Sequence, residues 1–177
     1  MKRIEIESQL NESRTWLLRT YSGLTEEQLL RPLTPSEHDP DNLWSALEHF
    51  AHLALIEINF VLMIRRHVVG KVNPVGLLTD EDGKARSRGE IMKGIHEMTD
   101  QFQQEHHHDS LSQVVALTAQ SRGESLQLLS ELSDEQLAET LPGAPWADGT
   151  IGGVISANAH HARMHWGWIE EAGLLTP

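Results

Sequence analysis

Apolar positions along this chain recur at helical spacing in four stretches and almost nowhere at the alternating spacing of a strand. Ile6, Leu10, Leu17 and Tyr21 share one face of a helix predicted from about Ile4 to Tyr21 and stopped by Gly23. A second helix is expected to open near Asp41 or Asn42, both good N-caps, and to run to about Val69 before Gly70. Its apolar residues cover most of the circumference, which predicts a central position. A third runs from about Ser110 to Leu132. A fourth opens at Thr150 and ends at Gly173, placed as a C′ glycine. A weaker, mostly polar helical segment, Gly89 to His107, joins the loop Gly70 to Ser87 in a long excursion between the second and third helices. No β-hairpin signature stands out. The pattern predicts an all-α protein, an antiparallel four-helix bundle with that excursion inserted, as a single domain over 1–177.

One segment recurs. LTEEQL, Leu24 to Leu29, returns as LSDEQL, Leu132 to Leu137. Each follows a helix, carries a capping Thr or Ser before acids, and precedes a proline-containing loop and a tryptophan. The plainer reading is a good start signal for a short helix, used twice. The sharper reading, favoured by the equivalent places, is two helix pairs related by a pseudo-twofold.

Composition narrows the chemistry. Apolar residues make up 39% of the chain, which suits a globular domain. The most apolar stretch, Leu43 to Ile64, is interrupted by Glu48, His49, His52, Glu57 and Asn59, so no uninterrupted membrane span is expected. The N-terminus turns polar at once and lacks the apolar core of a signal peptide, so a cytoplasmic location is expected. Cysteine is absent, which removes disulfides, thiolate ligands and a cysteine nucleophile. The net charge of −12 argues against nucleic acid as a partner. The densest basic cluster, Lys84, Arg86 and Arg88, sits beside Asp80, Glu81 and Asp82.

There are 11 histidines. His161 and His165 stand one helical turn apart, on the side of the fourth helix that also carries Ile151, Val154, Asn158, Ile169 and Ala172. Arg163 and Glu170 mark the opposite side. Two buried imidazoles side by side are costly unless hydrogen-bonded or metal-bound, and this spacing suits chelation of a divalent ion. The plain alternative is a pair of core histidines satisfied by backbone or water. A third ligand would come from another helix, and His52 and His49 compete for that place. Glu48, His52, Asn59 and Arg66 form a polar stripe that is either a solvent face or one wall of a cleft, with Glu57 or Asn59 behind a ligand. The tract His106 to His108 reads as a solvated surface feature or an adventitious metal binder. His38, His67 and His96 read as structural or exposed. Glu105 and His108 have the Glu-x-x-His spacing of di-iron bundles, but the second such motif is missing. Gly152 and Gly153 read as a site of close helix packing, and Trp146 as a wall of a pocket.

The order of three motifs resembles the DinB-like family of four-helix metalloproteins, which includes the mycothiol-dependent maleylpyruvate isomerase and bacillithiol transferase groups. Trp44 is followed eight residues later by His52 in an Ala-His-Leu step. The last helix carries HARMHWG, His161 to Gly167. An L-x-x-E-x-L segment follows the first helix. The resemblance implies a three-histidine site at His52, His161 and His165 and so selects His52 over His49. It implies nickel, zinc or a similar divalent ion there, with water in the open positions. Many members have a polar residue soon after the glycine, whereas this chain has Trp168, which bears on the polarity of the substrate.

The expected function is a divalent-metal-dependent enzyme acting on a small molecule, by thiol transfer or hydrolysis. Any thiol would come from the substrate or a low-molecular-weight cofactor. The alternative is a non-enzymatic metal-binding or small-molecule-binding domain. The tryptophans and the apolar second helix make a homodimer the expected assembly.

Overall fold

The computed structural model describes residues 1–36, 41–77, 79–80 and 83–175. His38, Glu81 and Asp82, weighed above, lie outside the described residues. The chain forms α1 (Arg3–Ser22), α2 (Glu26–Leu30), β1 (Pro32–Pro35), β2 (Leu43–Ser45), α3 (Ala46–Val68), α4 (Arg88–His106), α5 (Leu111–Glu131), α6 (Asp134–Leu137) and α7 (Ile151–Glu171). It is an all-α fold in which α1, α3, α5 and α7 pack closely into one core.

Local sequence sets the helix starts. Thr25, Ser45, Ser87, Ser110 and Ser133 each accept from the backbone N–H three residues on, and the Glu or Gln at that position reaches back to the cap. Each such box satisfies two of the donors a helix start leaves open. The box at Ser45 and Glu48 corrects the expected start of the second helix at Asp41 or Asn42. Those residues precede the helix. Leu43–Ser45 pairs antiparallel with Pro32–Pro35, Thr34 opposite Trp44. This short ribbon, unannounced by any alternation in sequence, buries Trp44 and Thr34 at the start of α3.

α3 is central as expected, packing on α5 and α7, while α1 packs on α7 and α5, and α4 lies against α3. Phe60, Val61 and Ile64 of α3 meet Leu128, Ile151 and Ile155 in one part of the core. Phe50 and Leu47 meet Tyr21, Trp166 and Ile169 in the other. By length and hydropathy alone α3 could cross a membrane, but 67% of its most apolar window is buried inside the fold, the signature of a core helix. Of the residues expected on the inner side of α7, Ile151, Val154, Asn158 and Ile169 are buried. Ala172 is exposed, because α7 ends one residue before it and Leu174, beyond the turn at Gly173, takes the buried place.

The repeated segment becomes α2 and α6. After α2 comes the β1–β2 pair and then α3; after α6 comes an isolated bridge, Thr140 to Thr150, and then α7. The two copies therefore occupy matching places in the element order. A Cβ at Gly152 would lie 3.0 Å from the Leu137 carbonyl and 3.1 Å from Ile6, so this glycine does allow close approach of α7 to α6 and α1. Gly153 instead makes room for the Asp148 side chain of the preceding loop. In that loop Ala147 has φ of 51°, a left-handed value uncommon without glycine, immediately after Trp146.

Candidate metal centre

α7 delivers His161 and His165, and α3 delivers His52. One ring nitrogen from each lies within 4.8 Å of the others. The Nε2 atoms of His161 and His165 are 2.9 Å apart. His165 is fully buried, His52 is 6% exposed, and His161 is half-buried and opens toward solvent. The i, i+4 pair thus points together and inward, as its spacing requires.

Desolvation dominates the electrostatics of these rings. Burial holds His161 down at about 4, with His160 adding to the effect, and His52 at about 3, with His161 and His49 adding to it. Burial, then repulsion from His161, His52 and His49, holds His165 lower still. Neutral imidazoles with lone pairs available are what a divalent cation needs. The donor set also fits on a second ground: His52 Nδ1 is buried with no hydrogen-bond partner among the described residues. A buried polar atom left unpaired is expensive, and a metal ion at this cluster would relieve the group.

His49 does not join the three. Its Nδ1 lies 2.7 Å from Nδ1 of His165, and its Nε2 hydrogen-bonds with the Thr34 hydroxyl of β1. For His165 to offer Nε2 to an ion, its Nδ1 must carry the proton and donate it to His49 Nδ1. His49 then carries its own proton on Nε2 and donates to Thr34. The chain Thr34–His49–His165 thus fixes the ring orientation and the tautomer that a ligand requires. Burial lowers His49 to about 4, against the opposing pull of Glu48. Sequence reasoning weighed His49 only as a rival ligand. Spacing does not separate the roles: three residues apart, His49 and His52 share a face of α3, and both ring centres lie 5.0 Å from that of His165.

The polar stripe of α3 is one wall of a cleft. α4 closes over it: Gln103 donates to the Glu48 carbonyl, His107 Nδ1 lies 2.9 Å from the Glu48 carboxylate, and the Asn59 amide donates to the Met98 sulfur at 3.2 Å. Only Arg66, at the far end, is exposed. Between α3, α4, α7 and the loop before α7 lies a cavity of about 410 Å³ whose wall includes His52, His161 and Asn59. Trp146 lines it, as expected, against Phe60 at 4.8 Å between ring centres.

Two other candidates fall elsewhere. Glu57 turns away from the histidines into a buried ion pair, its Oε1 2.6 Å from Arg122 Nε, while Arg122 also donates to the Leu10 carbonyl. Trp168 packs on His165, with ring centres 4.7 Å apart, and faces a separate recess of about 480 Å³ with Trp44, His49 and Leu33. It lies outside the cavity that holds His52 and His161. In the tract at the end of α4, His106 hydrogen-bonds Asp109 and His107 reaches Glu48, while His107 and His108 are exposed.

An all-α core with three histidines from two of its helices gathered at the end of a cleft defines a class of helical protein with a buried metal-type centre. The chain matches the family model of the DinB superfamily over residues 9–169, and it belongs to that superfamily. A crystal structure of an uncharacterised protein from Escherichia coli UTI89 has a TM-score of 0.61 with this chain at 16% sequence identity, covering 96% of this chain and 91% of that one. At such identity the likeness concerns the fold alone. No curated protein matches the chain.

Proposed function

We propose that this protein is a divalent-metal-dependent enzyme of the DinB superfamily, built on a four-helix bundle and acting on a small molecule by thiol transfer or hydrolysis. His52, His161 and His165 are its ligands for nickel or zinc. The observation that carries the reading is the convergence of three neutral, desolvated imidazoles, one with an orphaned nitrogen and two of them, His52 and His161, in the wall of a ligand-sized cavity.

Three neutral ligands leave the double positive charge of such an ion uncancelled, which supplies Lewis acidity toward water or a substrate thiol. His49 holds His165 in the binding tautomer through the geometry described above. α4 keeps bulk water from the inner wall, and His161, nearest solvent, marks the side from which substrate reaches the centre. With no cysteine in the chain, any thiol belongs to the substrate or to a low-molecular-weight cofactor, as in the mycothiol and bacillithiol groups of this superfamily. The reading includes a cytoplasmic homodimer.

Elemental analysis of untagged protein, purified without a nickel resin, tests the centre. About one equivalent of metal per chain is expected, lost in His161→Ala. Wild-type protein with less than about a tenth of an equivalent, even after incubation with nickel or zinc, would end the metal reading. Turnover assays of the loaded protein with several small thiols and esters then test the enzymatic part.

A further inference from the structure

The cavity beside the histidines carries information about its ligand that the histidines do not. Its volume of about 410 Å³ lies within the range of about 300–1,000 Å³ typical of small-molecule sites. Among the described residues that line it there is no Asp, Glu, Lys or Arg. A carboxylate or phosphate buried there would lose its hydration and find no counter-charge among the described side chains that line the cavity. The net charge of −12 opposes anions at longer range as well.

What lines the cavity instead is apolar and adaptable. Four of the five methionines in the sequence, Met63, Met92, Met98 and Met164, come to it from α3, α4 and α7. Unbranched thioether side chains repack around ligands of different outline. Met92 and Met164 are 38% and 36% exposed, so the apolar wall continues to the surface. Phe60 and Trp146 provide flat faces, and Ala147, held at positive φ, follows Trp146 in the loop that aims it. The polar groups are few: His52, His160 and His161 toward α7, and Asn59 and Thr99, with the Asn59 amide already donating to Met98.

We propose that this cavity binds an uncharged, mostly apolar small molecule whose one metal-seeking group is directed at His52 and His161. The second half of the statement rests on the metal reading above; the first half does not. The centre therefore takes a neutral substrate, or the neutral partner of a two-substrate reaction, and the charged part of any low-molecular-weight thiol stays outside this cavity. The methionine wall makes the site tolerant of the shape of the apolar part and intolerant of charge.

Two fluorescent probes with nearly the same rings separate these terms. N-phenylnaphthylamine is neutral, and anilinonaphthalene sulfonate carries a charge. On metal-stripped protein the neutral probe should bind saturably at one per chain and quench tryptophan emission, with the sulfonate at least about tenfold weaker. Met63→Lys, which places a charge in the wall, and Ala157→Phe, which fills it, should each weaken the neutral probe by about tenfold or more. Equal binding of the two probes by wild-type protein, or no saturable binding of the neutral one, overturns the proposal whether or not the variants fold. So does unchanged binding in either variant shown by circular dichroism to be folded. Cobalt-loaded protein then reports on the metal-seeking group: hexanethiol should change the visible cobalt spectrum at a concentration at least about tenfold lower than mercaptoethanesulfonate. Failure of the neutral probe while cobalt still binds overturns the cavity proposal and spares the metal centre. A chain that binds no cobalt, yet binds the neutral probe selectively, removes the metal reading and the metal-directed half together and leaves the apolar half standing.

Discussion

α3 carries two polar side chains buried to nearly the same degree, His52 at 6% exposure and Glu57 at 4%, and the fold treats them in opposite ways. Glu57 meets Arg122 of α5 in a two-pronged pair at 2.6 and 3.3 Å, and Arg122 is tied in turn to the Leu10 carbonyl of α1. Its charge is answered from within the chain. His52 has no such answer: its Nδ1 is orphaned, and its nearest ionisable neighbours are other imidazoles. A buried polar group whose partners are already present serves the fold. One left without partners, among groups of its own kind, marks a place built for something the chain does not supply.

The largest effect should come from breaking the satisfied side of this comparison. Arg122→Met leaves the Glu57 carboxylate buried and unpaired, and should cost about 3–5 kcal/mol of stability in urea denaturation. Metal binding by whatever fraction remains folded should be unchanged, because Glu57 lies away from the histidines. A cost below about 1 kcal/mol would place the pair among the weak surface bridges and dissolve the contrast.

The unsatisfied side should behave in reverse. His161→Ala should leave the metal-free protein as stable as wild type to within about 1 kcal/mol, since it removes a ring whose only hydrogen-bonded partner among the described residues is another imidazole. It should weaken nickel or zinc binding by more than the 10- to 100-fold typical of a change behind a ligand. Thermal unfolding with and without metal checks both at once. For wild type, free metal at about 100 times Kd should add about 2.7 kcal/mol, and the variant should show almost none of that gain at the same concentration. A variant as strongly stabilised as wild type would move the centre elsewhere.

How much of this was readable beforehand differs between the two regions for a physical reason. Helix periodicity placed α1, α3, α5 and α7 and put His161 and His165 on the inner side of α7, because burial and helical spacing are local properties of the sequence. The ribbon of Pro32–Pro35 with Leu43–Ser45 was not readable, since its pairing depends on where Trp44 is buried rather than on alternation. The same gap concealed the role of His49, whose partner Thr34 lies in that ribbon. Glu57 was misplaced for a similar reason. Its partner Arg122 sits 65 residues away on α5, in a helix whose polar residues gave no sign of facing inward. Spacing within α3 reports only which residues share a face, not which neighbour meets them. The choice of His52 over His49 came from the order of motifs along the whole chain; in the structure a ring nitrogen of His52 lies within 4.8 Å of those of both α7 histidines, while His49 meets His165 through its Nδ1.

His49 tests the comparison at finer grain. It is also desolvated, but both of its nitrogens have partners, which makes it a satisfied group at the edge of the unsatisfied cluster. His49→Gln removes the ring that fixes the His165 tautomer while keeping a polar side chain in place. Metal affinity should fall about 10- to 100-fold, as for other changes behind a ligand, with the stoichiometry still near one. Complete loss of binding would make His49 a ligand. An unchanged affinity would mean that Thr34 and His49 serve only the packing of the ribbon on α3.

The smallest expected effect is that of pH on metal affinity, where the two sides again part. The folded-state pKa values of His49 and His161 sit at about 4 and that of His52 at about 3, below an unfolded value near 6.5, with burial as the main cause. At pH 7 both the folded and unfolded chains hold these rings neutral, so nothing is lost. Below about 6.5 the unfolded chain takes up protons that the folded one refuses, so metal-free stability should fall as the pH drops. The decline stops once the folded-state value is reached. Bound metal should deepen the fall, since it blocks protonation of the folded chain entirely. Affinity measured on the folded protein should nevertheless stay level from pH 7 to about 5, because protons compete poorly for rings already desolvated. An exposed three-imidazole site would begin losing affinity near 6.5. Isothermal titration with zinc across that range, on protein shown to be folded at each pH, distinguishes the two, and a loss that begins near 6.5 would mean that the cluster is open to water rather than held dry by α4.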